Sequence, residues 1–284
     1  MTAADRARSN PMTDSSRLRQ IAANARGTFA TLGRTPRPAG RKIAWPSLGR
    51  TGLWIGAALV AVAIAMLVLD STALGLEQRL PWAFVETFEY ITDLGLSGWF
   101  LWPTGVLMIA LALTDTPDMP RVMRGVMASM AVRLGFVFSA IAVPGIFVAI
   151  VKRMIGRERP WVPNHDIWHY IPFDWRADYA SFPSGHATTA FAAAVAIGAI
   201  WPKARPYLWF YAIVIAASRI IVSAHHPSDV AAGAIVGAFG AILVRNWFAA
   251  RRLGFWVASD GCVRALPGPS FRRVKAVARG LFAA

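Results

Sequence analysis

Residues 211–229 read YAIVIAASRIIVSAHHPSD, an apolar run that carries an arginine and ends in two histidines and an aspartate. The run is apolar enough to belong to a membrane span. An unpaired guanidinium within such a span costs roughly 2.5–3.5 kcal/mol on insertion scales. Arg219 therefore needs a partner that offsets this cost, and the rest of the sequence indicates which kind of partner that is.

The composition is that of a membrane protein. Of the 284 residues, 56% are hydrophobic and 16% are charged, and the apolar residues form runs with no solvent-facing stripe between them. About 20 apolar residues suffice to cross the hydrocarbon core. The sequence therefore predicts an all-α integral membrane protein with six transmembrane helices, at roughly 51–69, 98–114, 125–151, 186–201, 206–224 and 228–248.

The distribution of basic residues predicts the orientation, because Lys and Arg collect on the cytoplasmic side of a membrane. Residues 1–50 form a basic, largely disordered arm with a short helix at 17–32, residues 51–250 form the six-span core, and 251–284 form a basic tail. The 70–97 loop is acidic instead. We expect both termini to be cytoplasmic and the protein to lie in the plasma (inner) membrane.

The net charge of +15 lies mostly in the two terminal segments. No nucleic-acid-binding motif accompanies it, so nucleic acid is not an expected partner. The single cysteine, Cys262, excludes an internal disulfide. Composition therefore favours a membrane enzyme or transporter over these other classes.

Polar residues from four predicted spans fall at the outer membrane interface, which is unusual for an apolar chain. They comprise Lys152 and Arg159 after span 3, SFPSGHATTAF (181–191) at the start of span 4, Arg219 near the end of span 5, and His225 and Asp229 at the junction of spans 5 and 6. Basic residues on the unfavoured side of a membrane need a local reason. An anion is the obvious one.

Two of these segments have the chemistry of a phosphoryl-transfer site. In PSGH, Ser184 is a natural N-cap, and the backbone N–H groups at a helix start bind anions. His225 lies one helical turn from Asp229, and a carboxylate on one ring nitrogen leaves the other nitrogen free to attack. His186 could protonate a departing alkoxide. Together these groups indicate transfer through a covalent intermediate.

The motifs resemble the signatures of the type 2 phosphatidic acid phosphatase (PAP2) superfamily, K-x6-R-P, P-S-G-H and S-R-x5-H-x3-D. Here they read KRMIGRERP (152–160), PSGH (183–186) and SRIIVSAHHPSD (218–229), with every signature residue present. The resemblance covers about 150–230 by motif and the six-span core by topology. It implies a PAP2-like helical core and a lipid phosphatase activity.

The resemblance also implies a role for each signature residue. His225 would accept the phosphoryl group, Asp229 would polarise it, and His186 would act on the leaving group. Five residues would hold the phosphate oxygens, namely Lys152, Arg159, Ser184, Gly185 and Arg219. Family members need no metal, so we expect no cofactor.

The expected partner is a lipid phosphate or diphosphate in the bilayer, because the site opens at headgroup level on the outer (periplasmic) face. Family members act on undecaprenyl diphosphate, phosphatidylglycerol phosphate, phosphatidic acid or lipid A phosphates. Gly185, where the bacitracin-resistance branch often has Asp, mildly favours the other branches. The sequence leaves open the specific lipid, the oligomeric state and transfer to an acceptor lipid instead of water.

A rival interpretation is a transporter that uses the Arg/His/Asp cluster as an ion relay. Transport sites usually lie near the bilayer midplane in broken helices, whereas these charges gather at one interface. A vanadate haloperoxidase, which uses a similar cradle, does not fit a membrane-spanning chain. We therefore favour the phosphatase.

Several neighbouring residues fall outside the motifs. Arg153 and Arg157 are expected at the rim of the site or near the headgroups, and His226 is expected in a loop or at the rim. His165 and His169, in HDIWH, imitate the spacing of zinc ligands on a helix, with Asp where metalloproteases have Glu. Since no third ligand is apparent, we expect an interfacial loop there.

Overall fold

The computed structural model describes residues 48–114 and 119–282, together with 19, 22–24, 26, 27, 30 and 43. Most of the predicted basic arm lies outside the described residues, and so does most of the short helix predicted at 17–32. The few residues of that short segment that are described are helical.

The described chain is mainly helical. Helix α1 (Leu48–Ile64) continues through a π-helical turn (Ala65–Leu69) into the short α2 (Asp70–Ala73). The helices that follow are α3 (Leu76–Arg79), α4 (Trp82–Asp93), α5 (Gly98–Thr114), α6 (Arg121–Ile155), α7 (Gly185–Ile200), α8 (Arg205–Ile221) and α9 (Pro227–Ala250). An antiparallel hairpin of β1 (Phe255–Val257) and β2 (Val263–Ala265) precedes α10 (Phe271–Phe282).

Within the described residues, four helical segments are long and apolar enough to cross a membrane. They are Gly49–Ala73, Trp82–Thr114, Arg121–Ile155 and Pro227–Ala250. The two other predicted spans correspond to α7 and α8, which have 16 and 17 residues and are shorter than the roughly 20 residues that a span needs. The structure is thus mostly helical with four candidate spans.

Helix α7 lies at the centre of the helical core. Its alanines are almost completely buried, and α6, α8 and α9 all pack against it. Small residues let helix backbones approach closely. A Cβ at Gly233 would lie 2.4 Å from the Ser184 carbonyl oxygen, and one at Gly237 would lie 2.2 Å from that of Thr188. The backbones of α7 and α9 therefore touch at these two glycines.

Gly156 ends α6 and turns the chain back over the top of the core. Its φ is 64°, and a Cβ there would lie 1.7 Å from the Ile171 carbonyl oxygen, so only glycine fits. Its N–H donates to the Lys152 carbonyl, and its own carbonyl accepts from Ile171 N–H. The loop that follows pairs Arg157 with Tyr170 in an isolated bridge.

The chain after α9 forms a hairpin that packs on the helical core, so the described fold is mostly helical rather than entirely helical. Leu253 and Phe255 are buried, and the Phe255 ring lies 4.6 Å from that of Phe136, centroid to centroid. Arg133 of α6 donates to the Leu266 carbonyl. The apolar residues in the first part of the predicted tail therefore pack against the helical core.

The glycine contact between α7 and α9 can be tested by adding one methyl group. Gly237→Ala would force the new Cβ against the Thr188 backbone and should destabilise the protein by roughly 1–3 kcal/mol. Gly145→Ala is the matched control, because a Cβ there meets nothing within 4 Å. We expect a lower thermal midpoint in detergent for Gly237→Ala alone. Equal midpoints for both variants would contradict the close packing.

Candidate active site

The PSGH motif places a buried serine at the start of α7. Ser184 occupies the N-cap position, but its side chain makes no capping hydrogen bond. Its Oγ is buried and has no hydrogen-bond partner in the described part of the chain. The Ser184 N–H donates to the Asp229 carbonyl at 2.9 Å. The first turn of α7 therefore lies against the first turn of α9, with an unused hydroxyl between them.

The chain turns sharply between α8 and α9 and brings two histidines inside. The N–H groups of Ala224 and His225 both donate to the Arg219 carbonyl, and Ser223 adopts a positive φ of 48°. His226 is the N-cap of α9 and forms a capping box with Asp229, whose Oδ2 accepts from the His226 N–H at 2.9 Å. This turn is what fixes the positions of both rings.

His226 was expected in a loop or at the rim of the site; it lies in the loop before α9 but not at the rim. The residue is only 1% exposed, and its Nδ1 lies 3.2 Å from Asp229 Oδ2. Two adjacent imidazoles therefore face one carboxylate. The N-cap position explains this, because the capping geometry draws the side chain back over the helix start.

His225 is the more deeply buried of the two predicted reactive histidines, since His186 is only partly buried. It is 2% exposed, and its Nδ1 lies 3.6 Å from Asp229 Oδ2, just beyond hydrogen-bond range. Burial lowers the pKa of the His225 ring to about 3, against the opposing effect of the Asp229 carboxylate. The ring is therefore neutral at pH 7, and a neutral imidazole nitrogen is a nucleophile.

Asp229 is fully buried and is held by hydrogen bonds from several sides. Its Oδ1 accepts from Arg157 at 2.6 Å, and its Oδ2 accepts from the Ser181 hydroxyl. Arg157 was also expected at the rim, but it is 0% exposed. Gly156 explains the difference, because the chain reversal there turns the next side chain into the protein.

Asp70 binds the other side of the Arg157 guanidinium and was not identified from the sequence as part of the site. Its Oδ2 lies 2.8 Å from Arg157 NH2, and both side chains are fully buried. Burial by itself would lower the pKa of Arg157, but the Asp229 and Asp70 carboxylates outweigh it and raise the pKa. One signal was available, since Asp70 interrupts the end of an apolar run as Arg219 does.

Three predicted phosphate-binding cations surround the start of α7. A Cβ on Gly185 would lie 3.5 Å from Lys152 Nζ, and Lys152 interacts electrostatically with Arg159 and Arg219. Arg219 donates to Thr92 Oγ1 at 2.7 Å. These cations come from the end of α6, the following loop and the end of α8.

Arg159 is held in place by two weak contacts. It donates to the Ala224 carbonyl at 3.3 Å, and its guanidinium lies 4.4 Å over the Trp161 ring. Burial lowers the pKa of Arg159 to about 10, so it stays charged at pH 7. The Nε atoms of Arg159 and Arg219 are buried without a hydrogen-bond partner in the described chain. Within that same part, neither arginine nor Lys152 forms a salt bridge.

His186 lies on the same side of the site as these cations. It interacts electrostatically with Lys152, Arg159 and Arg219. A Cβ on Gly95 would lie 3.0 Å from its ring, so the chain segment between α4 and α5 closes against it. The structure thus brings together all eight residues that the motifs selected.

His165 and His169 do not join this cluster as a metal site. His169 Nδ1 lies 3.3 Å from Glu158, and the His165 ring lies 5.7 Å from that of His226, centroid to centroid. Within the described residues, no group of three or more His, Cys, Asp and Glu side chains could hold a metal ion. The HDIWH segment is a loop, so its spacing does not place the two histidines on one face of a helix.

Comparison with known proteins identifies the family. A family model described as the PAP2 superfamily matches residues 133–253. A lipid A 1-phosphatase of Rhizobium etli is 31% identical over 203 residues, which cover 71% of this chain and 86% of that protein. The chain belongs to the PAP2 superfamily. It is a PAP2-type phosphatase of the lipid phosphatase group.

Other proteins and solved structures are also similar to the chain. A decaprenylphosphoryl-5-phosphoribose phosphatase of Mycobacterium tuberculosis is 33% identical over 160 residues, or 48% of this chain and 86% of that protein. The crystal structure of LpxE from Aquifex aeolicus matches with a TM-score of 0.45 and 22% identity, covering 62% of this chain and 94% of that one. A phosphatidylglycerolphosphate phosphatase structure from Bacillus subtilis matches with a TM-score of 0.40 and 17% identity, covering 80% and 95%.

The buried neutral state of His225 predicts how stability depends on pH. An unfolded histidine has a pKa near 6.5, so below that pH the unfolded chain binds a proton that the folded PAP2 core does not. The corresponding stability is complete above about pH 7 and is lost as the pH falls toward 3, by up to ~1.4 kcal/mol per pH unit. His225→Asn removes this titration.

The measurement is the thermal midpoint in detergent between pH 7 and pH 4.5 for both proteins. The wild type should lose stability more steeply on acidification than His225→Asn. Parallel curves would mean that His225 titrates normally and that its buried neutral state is incorrect.

Proposed function

We propose that this PAP2 protein is a membrane phosphatase that hydrolyses a lipid phosphate through a phosphohistidine intermediate. One arrangement carries the proposal. A buried neutral histidine lies beside a carboxylate, and three buried or partly buried cations surround the same point, two of them arginines whose buried Nε donors have no partner in the described chain. Such a site has a nucleophile and an empty cradle for an anion, which is what attack on a phosphate monoester needs.

In the first step, His225 Nε2 attacks phosphorus and the bond to the lipid oxygen breaks. The positive charge that develops on the ring is balanced by Asp229, 3.6 Å from Nδ1. His186 donates a proton to the departing oxygen. In the second step, His186 takes a proton from water, the water oxygen attacks phosphorus, and the N–P bond breaks to release phosphate.

The phosphoryl oxygens need positive partners throughout both steps. Lys152, Arg159 and Arg219 supply three charges, and the two arginines have buried Nε donors with no partner in the described chain. The Ser184 hydroxyl and the open N–H groups at the start of α7, including that of Gly185, add neutral donors. These donors are fixed before the substrate arrives, so little reorganisation is needed in the transition state.

The first candidate substrate is the 1-phosphate of a lipid A-type glycolipid. It is supported by the Rhizobium etli relative, which aligns over 86% of its own length. A prenyl-linked sugar phosphate is the second candidate, supported by the mycobacterial relative. In both cases the phosphate belongs to an amphiphile whose tail lies in the bilayer, in agreement with a site at the helix ends of a membrane protein.

The proposed topology has six spans, with α7 and α8 crossing inside the bundle and both termini in the cytoplasm. The shortness of α7 is acceptable because it lies at the centre, where neighbouring helices rather than lipid surround it. The site then opens on the periplasmic face of the inner membrane. The basic terminal segments support this orientation.

Replacing the nucleophile tests the activity. His225→Ala should lower phosphate release by about a thousandfold or more, because the variant lacks the imidazole that attacks phosphorus. His169→Ala is the matched control, because its ring is partly exposed in the neighbouring loop. Phosphate release by detergent-purified protein would be measured with lipid A, a prenylphosphoryl sugar phosphate, phosphatidic acid, phosphatidylglycerol phosphate and undecaprenyl diphosphate.

Three results of that assay separate the alternatives. Release that depends on His225 supports the phosphatase, and the fastest lipid identifies the substrate. Release that appears only when an acceptor lipid is added indicates a phosphotransferase. Full activity of His225→Ala would rule out the phosphohistidine mechanism, and no release under any condition would favour the transporter.

Cationic side chains already supply the charge that a metal would otherwise provide, so the proposed reaction needs no metal ion. We expect excess EDTA to leave phosphate release within about twofold of the untreated rate. The measurement is the rate before and after dialysis against the chelator. Loss of activity that returns with a divalent metal would overturn this and bring His165 and His169 back into consideration.

A further inference from the structure

We propose that Asp70 is a positioning residue for the phosphatase reaction, which acts through Arg157 on the carboxylate beside the nucleophile. The proposal rests on the phosphohistidine mechanism above and extends it to a helix that the PAP2 family model does not reach. That model matches residues 133–253. Asp70 lies far upstream, at the end of the first membrane helix.

Four hydrogen bonds connect that first helix to the site, and Asp70 accepts three of them. Its Oδ2 accepts from Arg157 NH2 at 2.8 Å and from the Ser228 hydroxyl at 2.6 Å, while its Oδ1 accepts from the Ser228 N–H at 2.9 Å. Arg157 NH1 then donates to Asp229 Oδ1 at 2.6 Å. Asp70, Arg157, Ser228 and Asp229 are all 0% exposed. No water competes for this chain of bonds.

A π-helical turn aims Asp70 at the site. The Asp70 N–H donates to the carbonyl of Ala65, five residues earlier, in place of the usual four. In a regular α-helix, positions five apart lie about 140° from each other around the axis. The wider turn brings Ala65 and Asp70 to the same buried side. Without it, the carboxylate would point away from Ser228 and Arg157.

The charges explain what this contact does. Asp229 alone would present one negative charge to the His225 ring, but Arg157 binds it and cancels that charge. Asp70 restores the balance, because two carboxylates and one guanidinium leave one net negative charge. That charge stabilises the positive ring which forms when His225 bonds to phosphorus. Removing Asp70 leaves a neutral pair and a less stable intermediate.

The test compares three variants of the full-length protein. Asp70→Asn should lower the rate of lipid phosphate hydrolysis about tenfold, with less than about a threefold change in KM, because bound substrate does not contact Asp70. Arg157→Met leaves two uncompensated carboxylates and should also be impaired. The double variant restores one net negative charge and should be more active than either single variant.

Lipid A and phosphatidic acid are the probes for hydrolysis, and vanadate is the probe for binding. Vanadate binding reports the same histidine bond without depending on which lipid is the substrate. Asp70→Asn should weaken it about tenfold, and the double variant should recover it. Asp260→Asn is the matched control, because Asp260 pairs with Arg264 at the surface; it should match the wild type in both assays.

The inference is overturned if Asp70→Asn matches the wild type in hydrolysis and vanadate binding, or if the double variant is at least as impaired as the worse single variant. The latter result would mean that the contact only holds the fold together. If Asp70→Asn does not fold, comparing the hydrolysis rate and vanadate binding of the double variant with those of Arg157→Met still tests the inference. Activity that survives in His225→Ala, or a wild type that neither hydrolyses lipid nor binds vanadate, would instead refute the proposed function on which the inference depends.

Discussion

The site depends on the close approach of α7 and α9. Ser184 opens one helix and Asp229 lies in the first turn of the other, and the backbones of the two residues are joined by a hydrogen bond of 2.9 Å. Gly233 and Gly237 permit this, since a side chain at either position would collide with a carbonyl of α7. The anion-binding helix start and the histidine turn therefore meet at one point, although more than 30 residues separate them along the chain.

A second constraint is the distribution of buried charge. Asp229 interacts electrostatically with Lys152 and Arg159 of the signature motifs, yet it is bonded to Arg157, which lies outside the signature positions. Lys152, Arg159 and Arg219 are thus left without a salt bridge in the described residues. Arg219 is buried and Lys152 and Arg159 are partly buried, and cations in such positions normally need a partner. In the proposed function, that partner is the phosphate of the lipid substrate.

The sequence predicted the composition of the site better than its architecture. The motifs were enough to predict that eight residues lie close together, because each lies at or near the end of an apolar segment and helix ends meet at one surface. The directions of the other polar residues could not be obtained in this way. Arg157 points inward because Gly156 reverses the chain, and Asp70 because of a π-helical turn. Neither feature has a periodic pattern that a sequence reading could detect.

The fold, like the site, was predicted only in part from the sequence. Apolar runs located the helices, but they did not reveal that α7 and α8 are short or that the chain after α9 returns to the core as a hairpin. Helix length and burial depend on neighbours. The α7 alanines lie at the centre because α6, α8 and α9 cover them. The hairpin packs because Phe136 offers it an aromatic surface. These are contacts between distant segments, which hydropathy does not encode.

Arg219 shows how these constraints combine. Its guanidinium has one hydrogen bond, to Thr92, and a buried Nε without a partner in the described chain. It lies in the last turn of α8, where a positive charge interacts favourably with the helix dipole, so part of the cost of burial is offset before any ligand binds. In the proposed function, the remainder is offset when the substrate phosphate binds. A cation held in this way is already oriented and dehydrated, so in the proposed reaction it would stabilise the transferring phosphoryl group without first having to release water.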